Sequence, residues 1–242
     1  TGVQTCALPI LRLIKKIVMN RLLNMLVLAF FLGSVSVQAQ DWAQMSYFKT
    51  QNDSIKDVSD QIEVVFMGNS ITQGWLSMRP EFFQEHGFVN RGIGGQTTPQ
   101  MLLRFRQDVI DLNPRIAVIL AGINDIAENT GPISLTEIAD NIESMVQLAQ
   151  ANGVVPVICS VLPANSFPWR QRIDPTEKVI ELNGLLKQMA NTYKLPYVDY
   201  YSAMVDPEKG LKSDWGYDPV HPNEAGYAVM EPILLSILNN LD

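Results

Sequence analysis

The strongest constraint on the fold of this chain is an alternation of two patterns that begins near residue 62 and continues to the last residues. Short runs in which nearly every residue is apolar, such as Arg115–Gly122 and Val154–Val161, are separated by longer stretches whose apolar residues recur every three or four positions. A strand that is apolar on both of its faces must be buried on both, which happens inside a sheet covered from each side. The intervening helical periodicity supplies the cover. The pattern therefore predicts an α/β fold of three layers, α/β/α, around a five-stranded parallel sheet. The expected strands are Glu63–Gly68, Phe88–Ile93, Arg115–Gly122, Val154–Val161 and Pro196–Tyr200.

Three helices have readable signals. Ser134 and Glu137 have the spacing of a capping box, opening a helix with Ile138, Ile142, Met145 and Ala149 on one face and a stop at Asn152-Gly153. Asp174, Pro175 and Glu177 open a second in the same way, with Val179, Leu182, Leu186 and Met189 on its apolar side. A last helix follows His221-Pro222, with Ala225, Val229, Ile233 and Ile237 as its expected stripe. No repeat, linker or low-complexity tract interrupts residues 62–242, which read as one domain after a polar lead-in at 40–61.

Residues 1–39 read differently. A basic start at Arg21, an apolar stretch of 13 residues from Met25 to Val37 and small residues at Val37 and Ala39 predict a secretory signal peptide cleaved after Ala39. A spanning helix needs ~20 apolar residues, so no stable membrane insertion is expected once the leader is removed. Residues 1–18 fit no element of the domain. The expected product is an exported protein, periplasmic or secreted. Residues 40–242 hold 14 Lys and Arg against 25 Asp and Glu, a formal charge of −11, which argues against a nucleic-acid partner. Two Cys and two His exclude a disulfide scaffold and a zinc site built mainly of those residues. Cys159 lies in an apolar run and reads as a buried structural thiol.

Open sheets of this kind bind ligands outside the carboxyl ends of their strands. After the first strand stands Gly68-Asn69-Ser70, a serine in a glycine-led turn at a helix start, placed as a nucleophile or as an ordinary N-cap. After the second, three glycines in four residues (Gly92, Gly94, Gly95) let backbone amides approach a ligand, or satisfy a turn with positive φ. After the third comes Asn124, whose amide can donate to a developing oxyanion or to its own turn. Asp218-Pro219-Val220-His221 sets a carboxylate three residues before an imidazole, close enough to hold its tautomer. His86 is the other candidate base, although Glu85-His86-Gly87 has the form of a helix end.

These four segments, in this order across almost all of residues 62–242, resemble the SGNH hydrolases, also called GDSL-type esterases and lipases. The resemblance implies a flavodoxin-like strand order. It also implies a triad of Ser70, His221 and Asp218, and an oxyanion hole from the amides of Ser70 and Gly95 and the side chain of Asn124, with Gly94 a rival to Gly95. No metal or cofactor is implied. The family's usual Gly-Asp-Ser is here Gly68-Asn69-Ser70, which spares the serine and alters only the charge of the turn.

The family hydrolyses esters of several kinds. Trp75, Trp169 and Trp215 lie near the proposed site segments, and aromatic faces at a cleft rim suit sugar rings. The segment Pro163–Asp174 holds Asn165, Arg170 and Arg172 in place of a long apolar lid. The expected function is a secreted serine esterase of short acyl groups, a carbohydrate O-acetylesterase acting on a small-molecule or glycan ester. The alternatives are a lysophospholipase or thioesterase and, in a different class, a non-catalytic glycan-binding module. The oligomeric state is not readable from the sequence.

Overall fold

The computed structural model describes residues 15–21, 41–58 and 62–241. Residues 15–21 are helical and belong to a unit separate from the body that begins at Asp41. The rest of the expected leader, with its cleavage point after Ala39, lies outside the described residues. Among the described residues no helix is long and apolar enough to cross a membrane.

The all-apolar runs are the strands of one parallel sheet. They are β1 (Ile62–Gly68), β2 (Val89–Gly92), β3 (Pro114–Leu120), β4 (Val155–Cys159) and β5 (Tyr197–Val198). Their spatial order is β2-β1-β3-β4-β5, with Gly68 level with Gly92 on one side and with Leu120 on the other. This is the flavodoxin-like order, in which the winding reverses between β1 and β3 and leaves a crevice at their carboxyl ends.

Four strands, β2 to β5, stop one or two residues earlier than the apolar pattern suggested, and for β4 and β5 a side chain accounts for it. Val161 gives its backbone N–H to the Asn183 side chain (2.7 Å) and accepts from that same amide (2.9 Å), so a side chain replaces the next strand there. Tyr200 opens a short helix with Asp199 as its cap, which limits β5 to two paired residues.

The helices are α1 (Lys49–Val58), α2 (Ser70–Met78), α3 (Pro80–His86), α4 (Thr98–Asp108), α5 (Ile123–Ile126), α6 (Leu135–Ala151), α7 (Thr176–Tyr193), α8 (Tyr200–Met204) and α9 (Glu224–Leu238). The capping box of α6 is formed, with Ser134 and Glu137 bonding each other's backbone N–H, and its four expected core residues are buried. The box expected before α7 is absent. Asp174 instead accepts from the N–H and hydroxyl of Thr176, and Glu177 pairs with Lys209 at 2.6 Å.

On α9 the buried face is Tyr227, Met230, Glu231, Leu234 and Leu238, one position on from the expected stripe. Ala225 is exposed, and Val229, Ile233 and Ile237 sit at the edge of the core. α9 is apolar nearly all round, so two stripes at four-residue spacing compete and tertiary packing selects one.

Residues 41–58 pack onto the body as a polar brace. Ala43, Phe48 and Asn52 are buried, and Asn52 bridges two charged side chains by donating to Asp108 (2.7 Å) and accepting from Arg91 (2.8 Å).

Candidate active site

Ser70 is the first residue of α2, immediately past the carboxyl end of β1. The helix cap is Asn69, whose Oδ1 accepts the Ile71 N–H at 3.0 Å, leaving the Ser70 hydroxyl unspent on capping. Capping needs only a neutral oxygen acceptor, so the asparagine serves where the related motif has aspartate. Gly92 keeps the turn close to the sheet, because a Cβ there would lie 2.2 Å from the Gln73 nitrogen. Arg104 fixes the turn from below, donating to the Gly68 carbonyl at 3.1 Å.

The loop before α9 brings His221 across from the other end of the sequence. Ser70 Oγ lies 2.9 Å from His221 Nε2, and His221 Nδ1 lies 2.8 Å from Asp218 Oδ2. The pairing with the carboxylate places the ring proton on Nδ1 and leaves Nε2 free to accept from the serine hydroxyl. Burial alone would raise the Asp218 pKa. The hydrogen bonds from the N–H groups of Val220 and His221 and from the imidazole outweigh it, and the carboxyl titrates below its usual range.

His86 is not part of this arrangement. It ends α3 with Nδ1 against the Phe82 carbonyl (3.0 Å), stacks on Phe88, and is followed by Gly87 in the left-handed conformation.

Gly95 has φ +77° and faces open space. The amide of its rival Gly94 is committed to Gln73 Oε1 at 2.9 Å. Asn124, in α5 just beyond β3, is buried and gives one amide hydrogen to the Gln96 carbonyl at 3.0 Å. Among the described residues no group of three or more His, Cys, Asp or Glu side chains is arranged to hold a metal ion.

The three tryptophans separate. Trp169 is 42% exposed, with its ring centroid 5.9 Å from that of His221. Trp75 is 1% exposed, stacked between Phe82 and Tyr227 with its Nε1 on Glu231, and cannot meet a substrate. At ~100° per helical residue, five residues turn Trp75 about 140° away from Ser70. Trp215 is half-buried against the core, with Lys212 Nζ 4.3 Å over its ring.

Sequence reasoning missed Tyr217, 61% exposed and stacked on His221 at 5.5 Å and 8°. Its position beside Asp218 was the available signal. It also missed Gln73, three residues after Ser70 and hence on the same side of α2, and Asn129, which bonds both the Gly95 carbonyl and Trp169.

Residues 66–229 match the family model of the GDSL-like lipase/acylhydrolase family. The chain belongs to this family. Among similar solved structures is that of a GDSL-like lipase from Bacteroides thetaiotaomicron, 41% identical, covering 82% of this chain and 98% of the other with a TM-score of 0.79. The human platelet-activating factor acetylhydrolase IB subunit alpha2 is 26% identical over 81% of this GDSL-like chain and 85% of its own. An acetylxylan esterase from Geobacillus stearothermophilus is 26% identical over 59% of this chain and 67% of its own. The match to the Bacillus subtilis lipoprotein YqeF, 33% identical over 130 residues, spans 44% of that protein.

Proposed function

We propose that this GDSL-like acylhydrolase is a serine esterase that removes short acyl groups, acetyl first among them, from the hydroxyls of carbohydrates. The observation that carries the reading is the continuous line of hydrogen bonds from Asp218 through His221 to Ser70, at 2.8 and 2.9 Å. Ser70 Oγ attacks the ester carbonyl carbon while its proton passes to His221 Nε2. The carbonyl electron pair moves onto oxygen, which the N–H groups of Ser70 and Gly95 and the Asn124 amide receive. Collapse expels the alcohol, which takes the proton from Nε2. Water then attacks the acyl-Ser70 carbonyl, gives a proton to His221 and releases the acid as the serine is reprotonated. Asp218 stays ionised throughout and steadies the imidazolium. As written, the reaction requires no metal or cofactor.

One observation supports a sugar alcohol and another an acetyl group. Trp169 and Tyr217 both offer exposed aromatic rings against His221, and such rings bind sugars by stacking. The acetylxylan esterase and the platelet-activating factor acetylhydrolase, by their names, both take acetyl groups. We also place the enzyme outside the cytoplasm, on the leader-like Met19–Ala39 segment and with support from the similarity to a lipoprotein. A mature chain starting at Gln40, found by amino-terminal sequencing, is the expected result.

The test of the chemistry is hydrolysis of p-nitrophenyl acetate, butyrate and octanoate. Rates should fall with acyl length and drop to near background in Ser70→Ala and in His221→Ala, without further loss in the double variant. His86→Ala should match the parent. Rates that climb with each added methylene point instead to a lysophospholipase or thioesterase. Activity surviving in Ser70→Ala removes the reading, and xylooligosaccharide binding without turnover assigns a glycan-binding module.

A further inference from the structure

The oxyanion loop at Gly94–Gln96 holds its shape without packing at its centre. A Cβ built on Gly95 would meet no atom within 4 Å, and its φ of +77° is one that a neighbouring contact must select. The conformation is set by the Asn129 amide, which donates to the Gly95 carbonyl at 3.2 Å, and by what grips the two flanking residues.

On one side, Gln73 Oε1 accepts the Gly94 N–H, and Gln73 Nε2 donates to the Tyr47 hydroxyl at 3.1 Å. On the other, the Gln96 side chain is 1% exposed with both ends engaged. Its Nε2 donates to the Ala43 carbonyl (2.8 Å) and to Gln44 Oε1 (3.3 Å), while its Oε1 accepts from Arg104 Nε at 2.6 Å. The Gln96 carbonyl is also the acceptor that orients the Asn124 amide. One residue thus ties together the loop after β2, the Asn124 side chain, the arginine under the Ser70 turn and the segment ahead of the sheet.

That segment is built to hold still. The Asp41 carboxylate accepts from the N–H groups of Met45 and Ser46 and from the Ser46 hydroxyl, and Gln44 takes φ +54° at the point where Ala43 and Gln44 meet Gln96.

We propose that Gln73 and Gln96 are positioning residues for the oxyanion hole, and that residues 41–47 are the brace that holds both. Neither glutamine touches substrate. They act by aiming the Gly95 N–H and the Asn124 amide at the place where the oxyanion forms. The proposal rests on the reading of Gly95 and Asn124 as oxyanion donors.

The test is a set of double-mutant cycles on the full chain with p-nitrophenyl acetate. Gln96→Met and Gln73→Leu should each lower kcat about 10-fold with KM within about 2-fold, since a small misplacement of catalytic groups costs ~100-fold at most. Tyr47→Phe, at an exposed residue, should lower kcat in the same direction by a smaller factor. In an Asn124→Ala background the loss from Gln96→Met should shrink to about 3-fold, because one of the two donors it aims is gone.

A Gln96→Met loss that multiplies fully with that of Asn124→Ala, or losses that appear in KM with kcat intact, overturn the positioning role while leaving the oxyanion reading standing. An Asn124→Ala enzyme with unchanged kcat overturns the oxyanion reading itself, and this proposal with it. If Gln96→Met fails to fold, Gln73→Leu and Tyr47→Phe decide the matter at sites that are not fully buried. Unchanged kcat in both then overturns the brace.

Discussion

Asp125 stands one residue beyond Asn124 and is buried, with Oδ1 accepting both the N–H (2.9 Å) and the hydroxyl (2.6 Å) of Thr98. Burial pushes its carboxyl up to about 6, against the pull of those hydrogen bonds. A group whose pKa is higher folded than unfolded contributes stability below its unfolded pKa and loses it as pH rises through the folded value. The parent should therefore lose stability between about pH 4 and pH 6.5 relative to Asp125→Asn, read as the difference between urea midpoints. Parallel curves would mean that Asp125 titrates as an ordinary carboxyl. Asp218 has the opposite sign, since its lowered pKa gives stability that disappears only at acid pH. The residues of the proposed triad were legible because each sits in a short motif, Ser70 just past the end of β1 and Asp218 and His221 in the turn before α9. Trp75 was misplaced because closeness along a helix is not closeness around it, and its ring joins Phe66, Phe82 and Tyr227 in the core.

Among the elements, β1, β3 and β4 were readable because burial on both faces leaves an unbroken apolar run, as in Val64–Met67 and Ile116–Leu120. The ends of β4 and β5 were less so, since Asn183 and Asp199 terminate pairing through side-chain bonds that no periodicity announces. The face of α9 was ambiguous for the reason given by its composition, and mutation can separate the two stripes. Met230→Ala should cost about 2–5 kcal/mol in urea unfolding. Val229→Ala should cost about 1 kcal/mol or less, as expected at the margin of a core. Equal costs would restore the stripe suggested by the sequence. The contribution of residues 41–58 was hidden because its contacts are polar and reach far along the chain, such as Asn52 to Asp108 across 56 positions.

At the scale of the whole molecule, Arg91, Arg104 and Asp108 form a buried charged cluster beneath the site, closed on one side by Asn52 and Phe48. Burial beside Arg104 lowers the Arg91 pKa to about 10. Stripping a partner from buried charges costs ~3–5 kcal/mol. At ~2–4 °C per kcal/mol for a domain of this size, a chain beginning at residue 62 should melt about 10 °C lower than one beginning at residue 41, measured by calorimetry. Equal melting temperatures would make the brace dispensable to the body.

The link between Ser70 and His221 spans 151 positions, and α9 reaches α2 through Tyr227 on the Ile71 carbonyl (2.8 Å) and Glu231 on Trp75. A chain emerging from the ribosome therefore carries the nucleophile's segment long before it carries a base, and contacts of such long separation form late. Recovery of esterase activity during refolding should coincide with the quenching change at Trp75 as Tyr227 covers it, making catalysis a clock for the closing of the last helix.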